Sequence, residues 1–345
     1  MKRKIFNLFL AFAVLSIFSL STLALSACGS SKKRTGIINI GFPGTGDGWP
    51  GGVFGVAIVN GYLDEYLGPL GYQYSPKGFV GAAPAIHEAL VAKELEYVVY
   101  AGMAADLSKA NNIDHTLISV TSWGAYWKLM VRADAGIDTL TDLRGKKIGY
   151  TRGASPQMYL IKVLNKAGLT FNDIQPINST SPESIAGVIS GTIDATVVGA
   201  GYDIQLVGDG AAKVIHVQFT ADRNVFYEPS VFIARTDFHR ENPEVTVAIQ
   251  KAFLKARDWI REDPDRYFRL TSERSSNPIE IVLQTADYDI DGSMPLSLDE
   301  KYINSLKDIL AFLKDNELTN GSIDFSSWLD RSVAARALEE YKGGS

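Results

Sequence analysis

The sequence predicts an α/β protein with two lobes, each built on a doubly wound sheet and joined by two chain crossings that form a hinge. Short apolar strands alternate with helices in two series, over roughly residues 37–126 and 128–228. Such alternation is typical of parallel sheets covered by helices on both faces. The chain after Pro243 is predicted to be helical and to lack strands, so it must pack on one of the two series, most simply the first.

The elements of the first series are predicted from periodicity and from the residues that begin each helix. A strand over 37–41 leads into a glycine-rich loop, and apolar residues at helical spacing, such as Phe54 and Ile58, predict one helix over 53–67. Pro84 in a first turn predicts a helix over 83–95. Further strands are predicted over 72–79, 97–100 and 115–121.

The second series repeats the alternation. It comprises strands over 127–132, 147–150, 174–177, 195–198 and 214–217, with a capped helical turn over 139–143. A helix over 155–167 ends at Gly168 and is predicted to have Ser155 as its N-cap. Ser181 and Pro182 are predicted to open the next helix as N-cap and first residue. A strand over 231–235 follows, and helices are predicted over 243–262, 264–271, 278–286, 298–315 and 331–341.

These elements divide the body of the chain into two lobes. Residues 37–127 plus 229–345 form lobe I, and residues 128–228 form lobe II. The chain crosses between them near 127–129 and 227–231. Ligands of such sheets bind at the carboxyl ends of the strands, and two lobes on a hinge close around a ligand.

The composition is that of a large folded protein and excludes several classes of function. The chain has 345 residues, of which 46% are hydrophobic and 21% charged, as expected of globular domains with sizeable cores. One cysteine excludes a disulfide framework or cysteine-rich metal site, and the four histidines show no metal-ligand spacing. The net charge of −5 comes without a basic stripe, which argues against nucleic acid as a partner.

The N-terminus predicts export followed by lipid anchoring. A basic start and an apolar run over 5–25 are typical of a secretory signal peptide, with a permanent transmembrane helix as the alternative. The run ends in Leu25-Ser26-Ala27-Cys28, which resembles a bacterial lipobox and implies cleavage before Cys28 and lipid attachment to its sulfur. We therefore predict a signal peptide over 1–27, a lipidated tether over 28–36, and an extracytoplasmic body anchored to the cell membrane of a bacterium.

Several short motifs follow one another in the second series. They are Leu140–Gly149 (LTDLRGKKIG), Arg152–Ser155 (RGAS), Leu160–Leu169, Asn172–Ile174 and Ser190–Ala195 (SGTIDA). In this order the chain resembles the solute-binding proteins of ABC importers for sulfonates, nitrate, taurine and thiamine precursors. The resemblance implies the type II periplasmic-binding-protein fold and a monomer that captures a small solute. Its implied partners are an ABC permease and its ATPase, with no enzyme activity and no cofactor.

Two segments depart from the pattern of that family. After strand 195–198, members carry an aromatic residue and an acidic-Pro-Tyr group, whereas here the segment Gly199–Asp203 keeps only Tyr202. The glycine-rich loop after the first strand is similar to that of TAXI-type receptors of TRAP transporters. The class of the cognate permease, ABC or TRAP, therefore stays open.

The loop that begins helix 155–167 is the first predicted binding segment. Gly153, Ala154, Ser155 and Gln157 lie where free backbone N–H groups and the helix dipole can bind an anion. Small residues here let a ligand approach the backbone closely. The same position can also serve only to cap the helix.

The other predicted binding residues are small, aromatic or acidic. Trp49 and Trp123 can stack on a ring-shaped ligand, hold a cation, or simply pack the hinge. Asp47 and Glu228 favour a ligand with an amine or hydroxyl donor if they face the cleft. The predicted set is completed by Gly81, Ala82 and Ala83 in the first lobe, Met103 as a lining or core residue, and Ser122, Gly199 and Tyr202.

These residues predict a receptor that captures its solute by hinge closure. We expect a sulfonate or carboxylate with an apolar or aromatic body, and the alternative is a thiamine-precursor-like heterocycle or another amine-bearing solute. An extracytoplasmic hydrolase is disfavoured, because residues 153–157 lack the last glycine of a nucleophile elbow and no Ser-His-Asp set can be assembled.

Overall fold

Two five-stranded sheets form the framework of the computed structural model, which describes residues 36–44, 48–124, 127–199, 203–217 and 227–343. The first sheet contains β1 (Gly36–Pro43), β2 (Tyr72–Phe79), β3 (Tyr97–Ala101), β4 (His115–Trp123) and β10 (Pro229–Arg235), in the order β2-β1-β3-β10-β4. The second contains β5 (Lys128–Arg132), β6 (Lys147–Tyr150), β7 (Gln175–Asn178), β8 (Ala195–Val198) and β9 (Ala212–Val217), in the order β7-β6-β8-β5-β9. The predicted two-lobed α/β fold is confirmed.

Both sheets are mixed, which corrects the expectation of parallel sheets. β1 pairs in parallel with β2 and β3, but β10 is antiparallel to β3 and β4. In the second sheet β6 is parallel to its neighbours, whereas β5 is antiparallel to β8 and β9. β5 and β10 are the strands that enter each sheet from the other lobe. They do not follow a crossover helix of their own sheet, so nothing forces them to run parallel to it.

The helices within the two series differ from the predicted ones in several places. They are α1 (Gly52–Val59), α2 (Tyr62–Leu67), α3 (Ala82–Val91) and α4 (Gly102–Ala110) beside the first sheet, and α5 (Ser155–Lys166), α6 (Ser181–Ser190) and α7 (Ile204–Gly208) beside the second. The single helix predicted over 53–67 is broken at Gly61, whose φ of 70° is left-handed. Helices α4 and α7 were not predicted, and α3 ends at Val91 instead of Leu95. The N-cap of α6 is Thr180, in a capping box with Glu183, and not Ser181.

The C-terminal helices cover the first sheet. They are α8 (Thr236–Glu241), α9 (Pro243–Glu262), α10 (Pro264–Ser275), α11 (Ile279–Leu283), α12 (Ile290–Ser293), α13 (Glu300–Asp315), α14 (Phe325–Trp328) and α15 (Arg331–Gly343). On one face Phe253 of α9 packs on Phe232 of β10, with ring centroids 5.2 Å apart. On the other face Leu306 of α13 and the fully buried Trp328 join a cluster that includes strand residues. Within the described residues, no helix combines the length and apolar character needed to cross a membrane.

The two lobes contact each other near the chain crossings. Ala154 and Met158, at the start of α5, belong to the same buried cluster as Met103 and Tyr302 of the first lobe. The backbone N–H of Gly124 donates to the carbonyl of Glu228 at 3.2 Å, so the first crossing is bonded to the last residues before β10. From Gly36 onward the chain therefore forms one compact unit.

Candidate functional site

A cleft of about 400 Å³ lies between the two lobes. The first lobe contributes the ends of β1, β3 and β4 and the loop that begins α1, while the second contributes Ser155 and Gly199. Its wall is mostly apolar and aromatic, with Phe42, Phe54, Tyr100 and Trp127 as the ring-bearing residues and Thr121, Ser122, Ser155, Glu228 and Ser230 as the polar ones. The cleft is thus lined from both lobes, at the carboxyl ends of parallel strands, where this class of fold binds ligands.

A smaller cavity of about 240 Å³ adjoins the cleft and shares Tyr100, Trp127, Ser155 and Gly199 with it. Its other lining residues come from the starts of three helices, and they include Ala82, Ala83, Ala154 and Ser181. Their side chains are short, so the backbone is close to the enclosed space. The two cavities together have room for a small organic solute.

Ser155 and Glu228 form the polar centre of the cleft. Both are almost fully buried, with 4% and 3% of their surface exposed, and the Ser155 hydroxyl donates to Glu228 Oε1. The N-cap of α5 is Ala154, which is extended, and no side chain caps the helix. The predicted role of Ser155 as an N-cap is therefore wrong, because its hydroxyl binds Glu228 instead. Glu228 Oε2 is buried and has no hydrogen-bond partner among the described residues.

Burial controls the charge of this carboxylate. It raises the pKa of Glu228 to about 7, and the Ser155 hydroxyl and the positive charge of Lys162 oppose that rise. Asp106 of α4 is completely buried, and its two carboxylate oxygens find no partner in the described part of the chain. Burial and the neighbouring charge of Glu228 raise the pKa of Asp106 well above its usual range. Two acids thus share one low-dielectric region behind the cleft wall.

Apart from the hydroxyl of Tyr100, Glu228 is the one ionisable side chain among the described residues that line the two cavities. Asp203 follows the second-lobe loop but forms an ion pair with Lys128, at 2.8 Å, in a buried position. Across the described ranges, no group of three or more histidine, cysteine, aspartate or glutamate side chains is placed to hold a metal ion.

A buried hydrogen-bond chain lies behind Tyr100. The Tyr100 hydroxyl is 3.0 Å from Ser108 Oγ, which is 2.8 Å from His115 Nε2, and the Trp328 indole N–H donates to His115 Nδ1 at 3.2 Å. Burial lowers the pKa of His115 well below its usual value, so the imidazole is neutral. Ser108 and His115 form a serine–imidazole pair, but both are fully buried behind the cleft wall. The serine in the cleft, Ser155, has a carboxylate as its partner. The arrangement is suited to binding.

Most of the predicted binding residues that the structure describes line one of the cavities. Ser122, Ser155, Gly199 and Glu228 line the cleft, and Ala82, Ala83 and Ala154 line the adjoining cavity. Trp123 lines a third cavity of about 360 Å³ in the first lobe and packs on Tyr227 and Tyr302, as a hinge residue would. Asp47, Tyr202 and Cys28 lie outside the described residues.

Five predicted residues lie away from the two cavity walls. Met103 is fully buried in the core, and the Trp49 ring lies against Gly55 of α1. The Gln157 side chain accepts from Gly153 N–H at 2.7 Å, so both belong to the internal structure of the loop. Gly81 is the N-cap of α3. For these residues the structural alternative accounts for the described contacts.

Sequence reasoning missed two features of the site. Phe42 and Tyr100 lie at strand ends, and only the pairing of β1 with β3 brings them to one wall. Asp106 lies in a short helix of small residues and is buried, although Lys109 follows it at helical spacing.

Known proteins are similar to this chain in sequence. A family model described as NMT1/THI5 like matches residues 89–267. A Brucella abortus protein named only as a binding protein is 32% identical over 147 residues, which is 41% of this chain but only 45% of that relative. A Bacillus subtilis protein named for binding aliphatic sulfonates is 25% identical over 270 residues, 76% of this chain and 78% of the relative.

Solved structures show the same fold. A periplasmic sulfonate-binding protein of Methylobacillus flagellatus aligns with a TM-score of 0.69 at 24% identity, over 89% of this chain and 94% of the other. A desulfurization enzyme aligns with a TM-score of 0.66 at 16% identity, over 89% of this chain and 100% of the other. The fold alone therefore does not separate a binding protein from an enzyme.

Proposed function

This chain belongs to the NMT1/THI5-like family, and on that premise we propose that it is the solute-binding receptor of an ABC importer. The observation that carries the proposal is the cleft between the lobes, walled by aromatic rings and by one buried carboxylate. The relatives named as binding proteins support it. The receptor would hand its solute to a permease and its ATPase, outside the cytoplasm.

The receptor works by closing around its solute. A solute that contacts both lobes binds the closed form more tightly than the open form and shifts the population by that difference. The lobes meet near the predicted chain crossings, 127–129 and 227–231, and rotation at these crossings would change the angle between the lobes. The permease then recognises the closed shape, and no bond in the solute is made or broken.

The solute class is a choice between two alternatives. A sulfonate or carboxylate at the start of α5 is supported by the relatives named for sulfonates and by the N-terminal end of that helix. However, the described lining contributes no lysine, arginine or histidine to pair with an anion, and a buried carboxylate already lies at this helix end. We therefore prefer the second alternative, an amine-bearing solute.

An enzyme is the competing function, since a desulfurization enzyme shares the fold. The two are separated by following a panel of amines, sulfonates and carboxylates with X-ray scattering and mass spectrometry. A receptor should show a radius of gyration that falls by a few per cent from about 20 Å with at least one compound, which is recovered unchanged. Conversion of a bound compound to a product would refute the receptor, as would a constant radius at saturation.

A further inference from the structure

Resting on the receptor function proposed above, we propose that the cleft selects a solute with a protonated amine whose N–H group donates to Glu228 Oε2. Glu228 lies in the wall of the cleft, and only 3% of its surface is exposed to solvent. Its other oxygen accepts from Ser155, while Oε2 has no partner among the described residues. A buried acceptor without a donor is costly, and a donor on the solute would remove that cost.

The charges around Glu228 favour a cation over an anion. The charge of Glu228 acts on Asp106 of α4, and the charge of Lys162 of α5 acts on Glu228, so one helix from each lobe lies beside this carboxylate. The Lys162 ammonium is shared with Phe312, 5.6 Å from its ring centroid, and with the charge of Asp308. Asp106 is held neutral by its burial, so Glu228 is the carboxylate that faces this shared ammonium. A protonated amine in the cleft would pair with Glu228, whereas a sulfonate would be repelled by it.

The rest of the wall suits the body of an organic cation. Trp127, Tyr100 and Phe42 line the same cleft, and aromatic faces attract ammonium groups as well as alkyl chains. A single carboxylate with aromatic walls distinguishes an alkylammonium from a free metal ion, which would require several oxygen ligands. The solute class is thus an organic primary amine with an apolar body.

The test uses two probes of equal length that differ only in their head group, hexylammonium and hexanesulfonate. In calorimetric titrations at about pH 8, hexylammonium should bind the purified protein at least about tenfold more tightly than hexanesulfonate. Glu228→Gln keeps the shape but removes the charge, and it should weaken hexylammonium binding by about ten- to a hundredfold. Glu65→Gln, at an exposed ion pair with Lys255 in the first lobe, is the matched control and should bind like the parent.

The pH dependence provides a readout that misfolding would not imitate. Lowering the pH from about 8 to about 6 protonates Glu228, so hexylammonium should bind more weakly in the parent and unchanged in Glu228→Gln. Should Glu228→Gln fail to fold, the parent alone tests the inference: weaker hexylammonium binding at about pH 6 than at about pH 8 supports it, and equal binding at the two pH values overturns it.

Three further results would overturn the inference: tighter binding of hexanesulfonate, equal hexylammonium binding by parent and Glu228→Gln, or no hexylammonium binding up to about 10 mM. If hexanesulfonate binds and compacts the protein, the amine inference falls while the receptor function stands. If a bound amine is recovered as a reaction product, the receptor function falls instead.

Discussion

At the scale of single residues, the role of Ser155 is decided by a hydrogen-bond partner that is distant in sequence. A strand-to-helix loop predicts that Ser155 lies at a helix start, and the structure agrees on its place. Its hydroxyl nevertheless binds Glu228, 73 residues away, so that its role follows from a contact that no local pattern reports. Asp106 is a second case, because its burial is decided by the packing of α4 and not by its neighbours in sequence.

The stability of the protein should depend on the ionisation of Glu228. Its pKa is raised in the folded state, so the contribution of this group is fully present below about pH 4.5 and is lost as the pH rises through about 7. The neutral variant Glu228→Gln should therefore match the parent near pH 4.5. At about pH 8 it should be more stable by about 3 kcal/mol, from a pKa shift of roughly two units.

Urea unfolding of both proteins at the two pH values checks this expectation. Glu65→Gln serves as the control, because its ion pair with Lys255 is exposed and should change stability by less than about 1 kcal/mol at either pH. A difference between parent and Glu228→Gln that stays constant with pH would show that Glu228 is not held in a desolvated state.

At the scale of elements, strong periodicity and clear boundary residues decide what can be predicted. The bounds predicted for α9, 243–262, are those observed, because a long amphipathic pattern begins at a proline. Helix α4 was missed, since seven of its nine residues are buried and it has almost no polar face to produce a pattern. The hydrophobic pattern over 53–67 continues across Gly61, so only the left-handed backbone there reveals two helices.

Two glycines give a matched test of packing in the first lobe. A Cβ on Gly55 of α1 would lie 2.7 Å from two carbons of the Trp49 ring, whereas a Cβ on Gly68 would meet nothing within 4 Å apart from its chain neighbours. Gly55→Ala should therefore displace Trp49 and destabilise the protein by about 1–3 kcal/mol. Gly68→Ala should change stability by less than about 1 kcal/mol, because the gain from restricting the unfolded chain is opposed by contact of the new Cβ with Pro69, which disfavours the helical backbone of Gly68.

Denaturant unfolding measures both effects, and tryptophan fluorescence reports the movement of Trp49. A shifted emission maximum is expected for Gly55→Ala and an unchanged one for Gly68→Ala. Equal stabilities and equal spectra for the two variants would mean that Trp49 does not lie against α1.

At the scale of the whole molecule, the sequence predicts the two-lobed fold more clearly than the solute. The order of strands, helices and family motifs was sufficient for the two-lobed fold, because each motif is local. The charge of the site could not be predicted in this way, because Asp106, Lys162 and Glu228 come together only through the packing of both lobes. The anionic solute expected from the helix start rests on the backbone N–H groups of α5 and takes no account of the buried Glu228.

The lipid anchor is a prediction about the whole chain. Cys28→Ser removes the only thiol, so it should move the protein from the membrane pellet to the soluble fraction of fractionated bacteria. Substituting the neighbouring Ser30 with alanine is the control and should leave the protein in the pellet. Retention of Cys28→Ser in the pellet to the same degree as the parent would refute lipid anchoring at this residue.

The hydrogen bond from Gly124 N–H to the Glu228 carbonyl has a mechanical consequence. It places Glu228, the residue that we propose binds the charged group of the solute, at the hinge between the two lobes and not at the rim of the cleft. A rotation of about 10° about this hinge would move surfaces about 20 Å away by several ångströms. Binding of a proton or an ammonium group at Glu228 would then change the angle between the two lobes, and the permease would recognise that change.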